Sequence, residues 1–298
     1  MQIFMEKLKL IDGHISKDCQ NSYIEEIKSD DRVVPVVKYK IYEAYDEVLH
    51  GFSTRLGGVS LNHLASMNLS FSRGDCYDNV IMNHKIFAKA LGYDENKLVF
   101  SDQIHKCDIH VVTKEDAGRG IISGLDKLTG IDGLVTNERD IPLITFYADC
   151  VPLFFYDEAR HVVALAHSGW RGTVANIAKA MVDKMSEVYG SKSEDIICAI
   201  GPSICVSCYE VSTDVALEFK NRYDDAAINN ILYYKGNDKY QLDLHQACRY
   251  NLLGAGIKES NIAMPDYCTC CNPDVFFSHR ASHGMRGNLA AVIMLKDK

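Results

Sequence analysis

The chain has 298 residues, 47% of them hydrophobic, enough to bury a substantial core in one large domain or two small ones. A formal net charge of -8 argues against general nucleic-acid or anionic-membrane binding. There is no run of roughly 18 apolar residues to suggest a membrane span. Eleven cysteines, an odd count in a chain whose start lacks a signal-peptide apolar region, suit a reducing cytoplasm with free thiols better than a disulfide scaffold.

Residues 1–45 open with a polar, charged stretch and are expected to lie at the periphery of a single domain spanning 46–298. Within that segment VVPVVKYKIYEAY alternates and reads as strand material, and a strand-like run over 50–54 ends at the turn residues Gly57 and Gly58. The spacing predicts a helix over 78–93, with Asp78 as N-cap, Val80, His84, Phe87, Ala88 and Leu91 on one face, and Gly92 as the stop. Residues 98–113 alternate and are expected to be strands with His105 near their centre. Residues 141–157 form two apolar runs broken at Ala148-Asp149-Cys150, and 161–167 form another strand. A helix over 173–190 carries the stripe Val174, Ile177, Ala178, Met181, Val182 and Met185, with Gly190 closing it. A strand over 196–202, helices over 212–223 and 243–254, and a final strand over 288–295 complete the pattern. Irregular alternation with hairpin-like pairs favours an α+β fold of mixed β-sheets with flanking helices over a doubly wound parallel sheet.

Three soft or borderline metal ligands stand out: His105 in Ser-Asp-Gln-Ile-His, Cys150 in Tyr-Ala-Asp-Cys-Val-Pro, and His167 in Ala-His-Ser-Gly-Trp-Arg-Gly. Two imidazoles and a thiolate suit zinc or copper, and three protein ligands leave a fourth position open, as catalytic sites do. His167 ends an apolar strand just ahead of a helix, where a loop can aim a side chain and the helix start attracts anions. A lone buried histidine or cysteine is more often an inert core residue. Gly169 and Gly172 around the chain's only tryptophan, and Asp149 beside Cys150, tilt the balance toward function. On a strand His105 and Cys107 would share one face and His110 the other, so spacing leaves His105 and Cys107 as alternatives. Arg55 before the Gly57-Gly58 turn, Arg171, and the pair Arg280 and Arg286 hint at an anionic substrate in an acidic chain, since guanidinium matches two phosphate oxygens. Cys205-x-x-Cys208 and Cys268-x-Cys270-Cys271 offer four thiolates for structural zinc. The irregular intervals and the adjacent Cys270 and Cys271 weigh against that reading.

The segments HGFSTRLGGVS (50–60), NLSF (68–71), SDQIH (101–105), DGLVTN (132–137), ADCVPLFFYD (148–157), AHSGWRGT (166–173), AIGPSIC (199–205), YEV (209–211) and CTCCNPDVFFSHRASHGMRG (268–287) resemble, in order, the YfiH-like group. That group was long labelled multicopper polyphenol oxidase or laccase-domain proteins. The resemblance implies a cytosolic α+β fold, compared with toxin-type cysteine hydrolases. It also implies a zinc-dependent purine nucleoside phosphorylase with adenosine deaminase activity, acting on adenosine, inosine, guanosine or methylthioadenosine with phosphate. In some bacterial members it implies a link to peptidoglycan editing. It assigns the metal to His105, Cys150 and His167, favouring His105 over Cys107, and places Arg55, Asn68, Asp149 and Arg171 in or behind the pocket. In SHRASHG (278–284) the chain departs from the aromatic-Arg-Arg run more usual in the group, and before residue 45 it matches only loosely.

The expectation is a zinc enzyme, with copper as the other metal such ligands accept. Arg55 is the first candidate for holding phosphate, Arg171 and Arg286 the next, and Asp149 the proton carrier. The partners are small nucleosides and phosphate, with no nucleic acid or membrane, and a monomer is expected. The alternatives are a copper-dependent polyphenol oxidase, a Cys150–His167 hydrolase with a thiolate nucleophile, and a metal-stabilised purine-binding module without turnover.

Overall fold

Alternation along Val151–Asp157 sets the layering. Phe154 and Tyr156 enter one apolar cluster, while Val151, Leu153 and Phe155 enter another on the opposite face. Successive strand side chains point to opposite faces, so a strand apolar on both must be covered on both. Burying a phenylalanine such as Phe154 contributes about 1.5–3 kcal/mol.

The computed structural model describes residues 8–11, 20–122 and 128–297. Strand Val151–Asp157 lies inside a six-stranded sheet, with Ile197–Ile200 on one side and Val162–Ser168, Gly133–Thr136 and Ile109–Val111 on the other. A seven-stranded sheet faces it, with Arg32–Tyr39, Val48–Ser53, Leu289–Leu295, Leu143–Tyr147 and Val99–Asp102 in its middle. The shared core between the sheets draws Tyr39, Phe52, Tyr147 and Ile293 from one and Leu134, Phe154 and Leu165 from the other. Helices Ile177–Tyr189 and Leu244–Gly254 cover the outer face of the first sheet, and helix Tyr77–Leu91 covers that of the second. A small three-stranded sheet, Glu210–Ser212, Leu232–Gly236 and Lys239–Leu242, stands to one side with helix Asp225–Ile231. Most pairings are antiparallel, as the α+β expectation requires. Among the described residues no helix is long and apolar enough to cross a membrane.

Four sequence expectations need adjustment. The segment expected at the periphery supplies Arg32–Tyr39, whose Val34, Val36, Val37 and Tyr39 are fully buried. It pairs along its whole length with Ser22–Ser29, while 1–7 and 12–19 lie outside the described residues. The helix over 78–93 begins at Tyr77 behind Cys76, and Asp78 sits in its first turn rather than at the cap. The helix over 173–190 is two helices, Trp170–Val174 and Ile177–Tyr189, because Asn176 takes a left-handed conformation and caps the second with its side chain. The strands expected over 98–113 are Val99–Asp102 and Ile109–Val111, and His105, expected on a strand, lies in the loop between them with φ 63°. His105 and Cys107 both lie outside these strands and share no strand face.

Candidate metal centre

The site forms where the two large sheets are joined. Strand Leu143–Tyr147 of one sheet passes through residues 148–150 into strand Val151–Asp157 of the other. Asp149 makes that crossing with φ 86°. His167 pairs across the strands with Pro152, which sets it beside Cys150 at the start of the same strand.

The His105 loop is brought in by Asp132. Its buried carboxylate accepts the backbone N–H groups of Ile104 (3.1 Å), His105 (3.0 Å) and Lys106 (2.8 Å). The same carboxylate accepts from His167 Nδ1 at 2.8 Å, and the His167 N–H donates to the Asp132 carbonyl at 2.8 Å. One residue thus turns the His105 loop, fixes the His167 ring and leaves its Nε2 for other contacts, an arrangement that sets a histidine's tautomer. Gln103 ties down the start of the loop by exchanging two hydrogen bonds with the Phe146 backbone (2.7 and 3.0 Å).

The outcome is a cluster in which one ligand atom each of His105, Cys150 and His167 lies within 4.8 Å of the others. Cys150 Sγ is 3.9 Å from His105 Nε2, and the two rings meet edge-on with centroids 4.7 Å apart. A Cβ on Gly169 would come within 2.8 Å of His105 Cδ2 and 3.2 Å of Cys150 Sγ, so glycine keeps this space open. Burial pushes the Cys150 thiol up, but His167 and His105 outweigh it and bring it down to about 6. Burial pushes His167 down, but Cys150 and Asp132 outweigh it and raise it to about 9. Burial likewise opposes ionisation of Asp132, and the bonds from His167 and the backbone N–H groups hold it below the usual carboxylate range. These shifts favour a thiolate beside an imidazolium when no metal is bound; a metal would take the thiolate and the neutral imidazole.

Two cavity lobes meet at the cluster, of about 400 and 440 Å³. The first is walled by Phe71, Phe100, Phe146 and Tyr147. The second is lined by Trp170, Tyr209, Asp149, Arg171 and Arg280, while Arg73 and Arg286 border both. Arg171 stacks on the Trp170 ring at 4.2 Å. Arg286 bonds its own neighbour Asn288, but its buried Nε has no partner among the described residues. Burial and Arg73 lower its pKa to about 10. Asp149 accepts from the Thr269 hydroxyl (2.7 Å) and the Arg280 N–H (2.7 Å).

Two of the expected residues stand back from the cavity. Arg55 donates to the carbonyls of Ala65 and Pro273 (both 2.8 Å), lies over the Phe277 ring, and borders neither lobe. Asn68 is fully buried and fastens the loop carrying Arg73 through Ser70, Asp75 and Asn288. Cys107 points to the Gly172 carbonyl at 3.7 Å, and His110 to Asp116 at 3.0 Å. The sequence reading missed Asp132, Gln103 and Arg73. The signal for Asp132 was an Asp-Gly pair directly ahead of an apolar strand, that for Arg73 the glycine that follows it, and that for Gln103 its place in the segment SDQIH.

Residues 49–296 match the family described as multi-copper polyphenol oxidoreductase laccase. The chain belongs to this family. A relative named purine nucleoside phosphorylase YlmD, from Bacillus subtilis, is 36% identical over 253 residues, covering 84% of this chain and 90% of its own length. Purine nucleoside phosphorylase SERP0752 of Staphylococcus epidermidis is 35% identical over 254 residues, covering 85% and 93%. Among solved structures, a Bacillus licheniformis hypothetical protein YfiH superposes with a TM-score of 0.83 at 34% identity, covering 91% of this chain and 99% of its own. YlmD from Geobacillus stearothermophilus gives 0.83 at 32% identity, covering 92% and 100%. The family and the α+β architecture implied by the resemblance both hold.

Proposed function

We propose that this chain is a zinc-dependent purine nucleoside phosphorylase that also deaminates adenosine, with His105, Cys150 and His167 as the metal ligands. The observation that carries this reading is their convergence where an aromatic lobe meets an arginine-rich lobe. The names of relatives near 35% identity support it.

The donor set fits the ion. Zinc takes thiolate sulfur at about 2.3 Å and imidazole nitrogen at about 2.0 Å, so tetrahedral donors sit about 3.3–3.8 Å apart. Small rotations of side chains already within 4.8 Å bring them there. A bound zinc supplies Lewis acidity at its vacant fourth position. The family description names copper, but among the described residues one cluster of three or more potential ligands holds two imidazoles and the other none. That suits a single-ion centre better than a multicopper one.

The chain's own residues divide the remaining work. Phe71, Phe100, Phe146 and Tyr147 present aromatic walls to a planar purine. Arg286, Arg171 and Arg73 hold phosphate; Arg286 leads because it borders both lobes and its Nε has no partner among the described residues. Arg55 supports the wall from behind, its guanidinium being engaged by carbonyl oxygens. Asp149 carries the proton in deamination, since it borders the arginine lobe beside Cys150 and is aimed by Thr269 and Arg280. Asp132 keeps the His167 ring oriented.

The test is chromatography of products from inosine plus phosphate, run alongside metal analysis. Hypoxanthine and a ribose phosphate are expected, with both products and one equivalent of bound metal, the one held by this centre, lost in Cys150→Ala and His167→Ala. Full activity on inosine in either variant overturns the proposal.

A further inference from the structure

A second cluster lies outside the candidate centre. Cys205, Cys208, Cys268 and Cys271 have sulfur atoms all within 4.8 Å of one another. Cys271 Sγ is 3.4 Å from Cys208 Sγ and 3.8 Å from Cys205 Sγ. All four are free thiols. Four thiolates about 2.3 Å from one tetrahedral zinc stand about 3.8 Å apart, so the observed spacing is close to that of a filled site. Cys270, which made the sequence intervals look irregular, is not in the cluster. Without it the spacing is Cys-x-x-Cys twice, a ligand pattern of structural zinc sites.

The surroundings suit thiolates. The Cys205 N–H (3.2 Å) and the Cys271 N–H (3.4 Å) both point to Cys268 Sγ. Such N–H groups stabilise sulfur charge and orient the ligand. A bridge between Ser203 and Cys268 and the Thr269 N–H to Ser203 carbonyl bond (3.1 Å) hold the two Cys-x-x-Cys turns side by side. Asn272 closes the second turn on the Cys268 carbonyl at 2.9 Å.

We infer that Cys205, Cys208, Cys268 and Cys271 form a structural tetrathiolate zinc site, separate from the His105–Cys150–His167 centre, that staples together the wall of the arginine lobe. Four protein ligands leave no open position, which marks a structural rather than a reactive ion. The staple joins turns more than sixty residues apart in sequence. It also touches the active wall directly. Thr269, between two ligands, donates to Asp149, and Arg280 donates to the Cys208 carbonyl at 3.1 Å. Tyr209, next to Cys208, borders the lobe. Loss of the ion therefore loosens Asp149 and the lobe without removing a group that meets substrate.

The test is zinc stoichiometry of the full chain purified under reducing conditions. Two zinc ions per chain are expected in the wild type, one in Cys150→Ala, and one in Cys208→Ser/Cys271→Ser. Cobalt-loaded Cys150→Ala should keep the intense thiolate-to-cobalt absorption of several thiolates on one ion, whereas the double variant should keep only the weaker band of the single Cys150 thiolate. Should the double variant fail to fold, titration of folded Cys150→Ala with a mercurial reagent decides: one zinc is released as four thiols react beyond those, such as the exposed Cys76, that react without releasing zinc. Cys150→Ala protein free of zinc, iron in place of zinc, or disulfides among the four cysteines overturns the inference. So does a folded double variant with wild-type zinc content.

Discussion

The two sulfur-bearing clusters are built on opposite plans. His105, Cys150 and His167 come from a loop, a strand-to-strand crossing and the end of a strand, mix nitrogen with sulfur, and face two cavities. Cys205, Cys208, Cys268 and Cys271 come from two paired turns, are all sulfur, and face one another. The difference teaches that donor number and surroundings, not the presence of cysteine, separate a centre that can meet substrate from one that can only brace the chain.

The largest expected contrast is in turnover. Removing Cys150 or His167 should lower phosphorolysis by about a thousandfold or more, the scale set by loss of a principal electrostatic stabiliser. Removing Cys208 and Cys271 should instead leave kcat within about tenfold and lower the melting temperature, because that cluster meets no substrate. Initial-rate kinetics and thermal unfolding on the same preparations check both. Equal losses of kcat would erase the distinction between the clusters.

Next in size is Asp132→Asn. An amide cannot accept from His167 and three backbone N–H groups as the carboxylate does, so metal affinity at the mixed centre should fall about 10–100-fold. Competition with a chromophoric chelator measures it, and zinc retention by the four-cysteine cluster should not change. This residue also marks where the sequence stopped being legible. The buried strands and the stripe of Ile177–Tyr189 could be read from spacing, and Cys150 and His167 stood out by their local setting, whereas His105 was preferred to Cys107 only through the family resemblance. The His105 loop could not be read, because its shape depends on a carboxylate 27 positions away. The split at Asn176 was hidden because an apolar stripe continues across it. The four-cysteine cluster was obscured by one extra residue, Cys270, whose exclusion only the folded turn decides.

A smaller effect is expected from Arg286→Met. A charged hydrogen bond contributes about 1.5–3 kcal/mol, so KM for phosphate should rise by about ten- to a hundredfold while adenosine deamination, which needs no phosphate, changes little. A parallel loss of both reactions would move phosphate binding elsewhere. Arg55→Met should be milder on phosphate KM and harsher on stability, since Arg55 braces backbone carbonyls.

The smallest effect is one of pH and sets Cys150 of the mixed centre against Cys107, a thiol outside both clusters. In metal-free protein the facing imidazoles hold Cys150 near 6, whereas burial raises Cys107 to about 11. A thiol whose pKa is depressed stays ionised as pH falls until that value is crossed. Iodoacetamide labelling of Cys150 should therefore stay nearly level from pH 9 to 7 and decline below about 6, while Cys107 labels slowly throughout. Mass-spectrometric peptide counting follows both, and a Cys150 profile that already falls between pH 9 and 8 would remove the imidazole influence.

The most direct measurement strips the mixed centre with a chelator and follows inosine phosphorolysis before and after one equivalent of zinc is returned, with Cys150→Ala alongside. Activity should vanish on stripping and return in the wild type but not in the variant. Undiminished turnover by stripped wild-type protein, with zinc absent from His105, Cys150 and His167, would contradict the account.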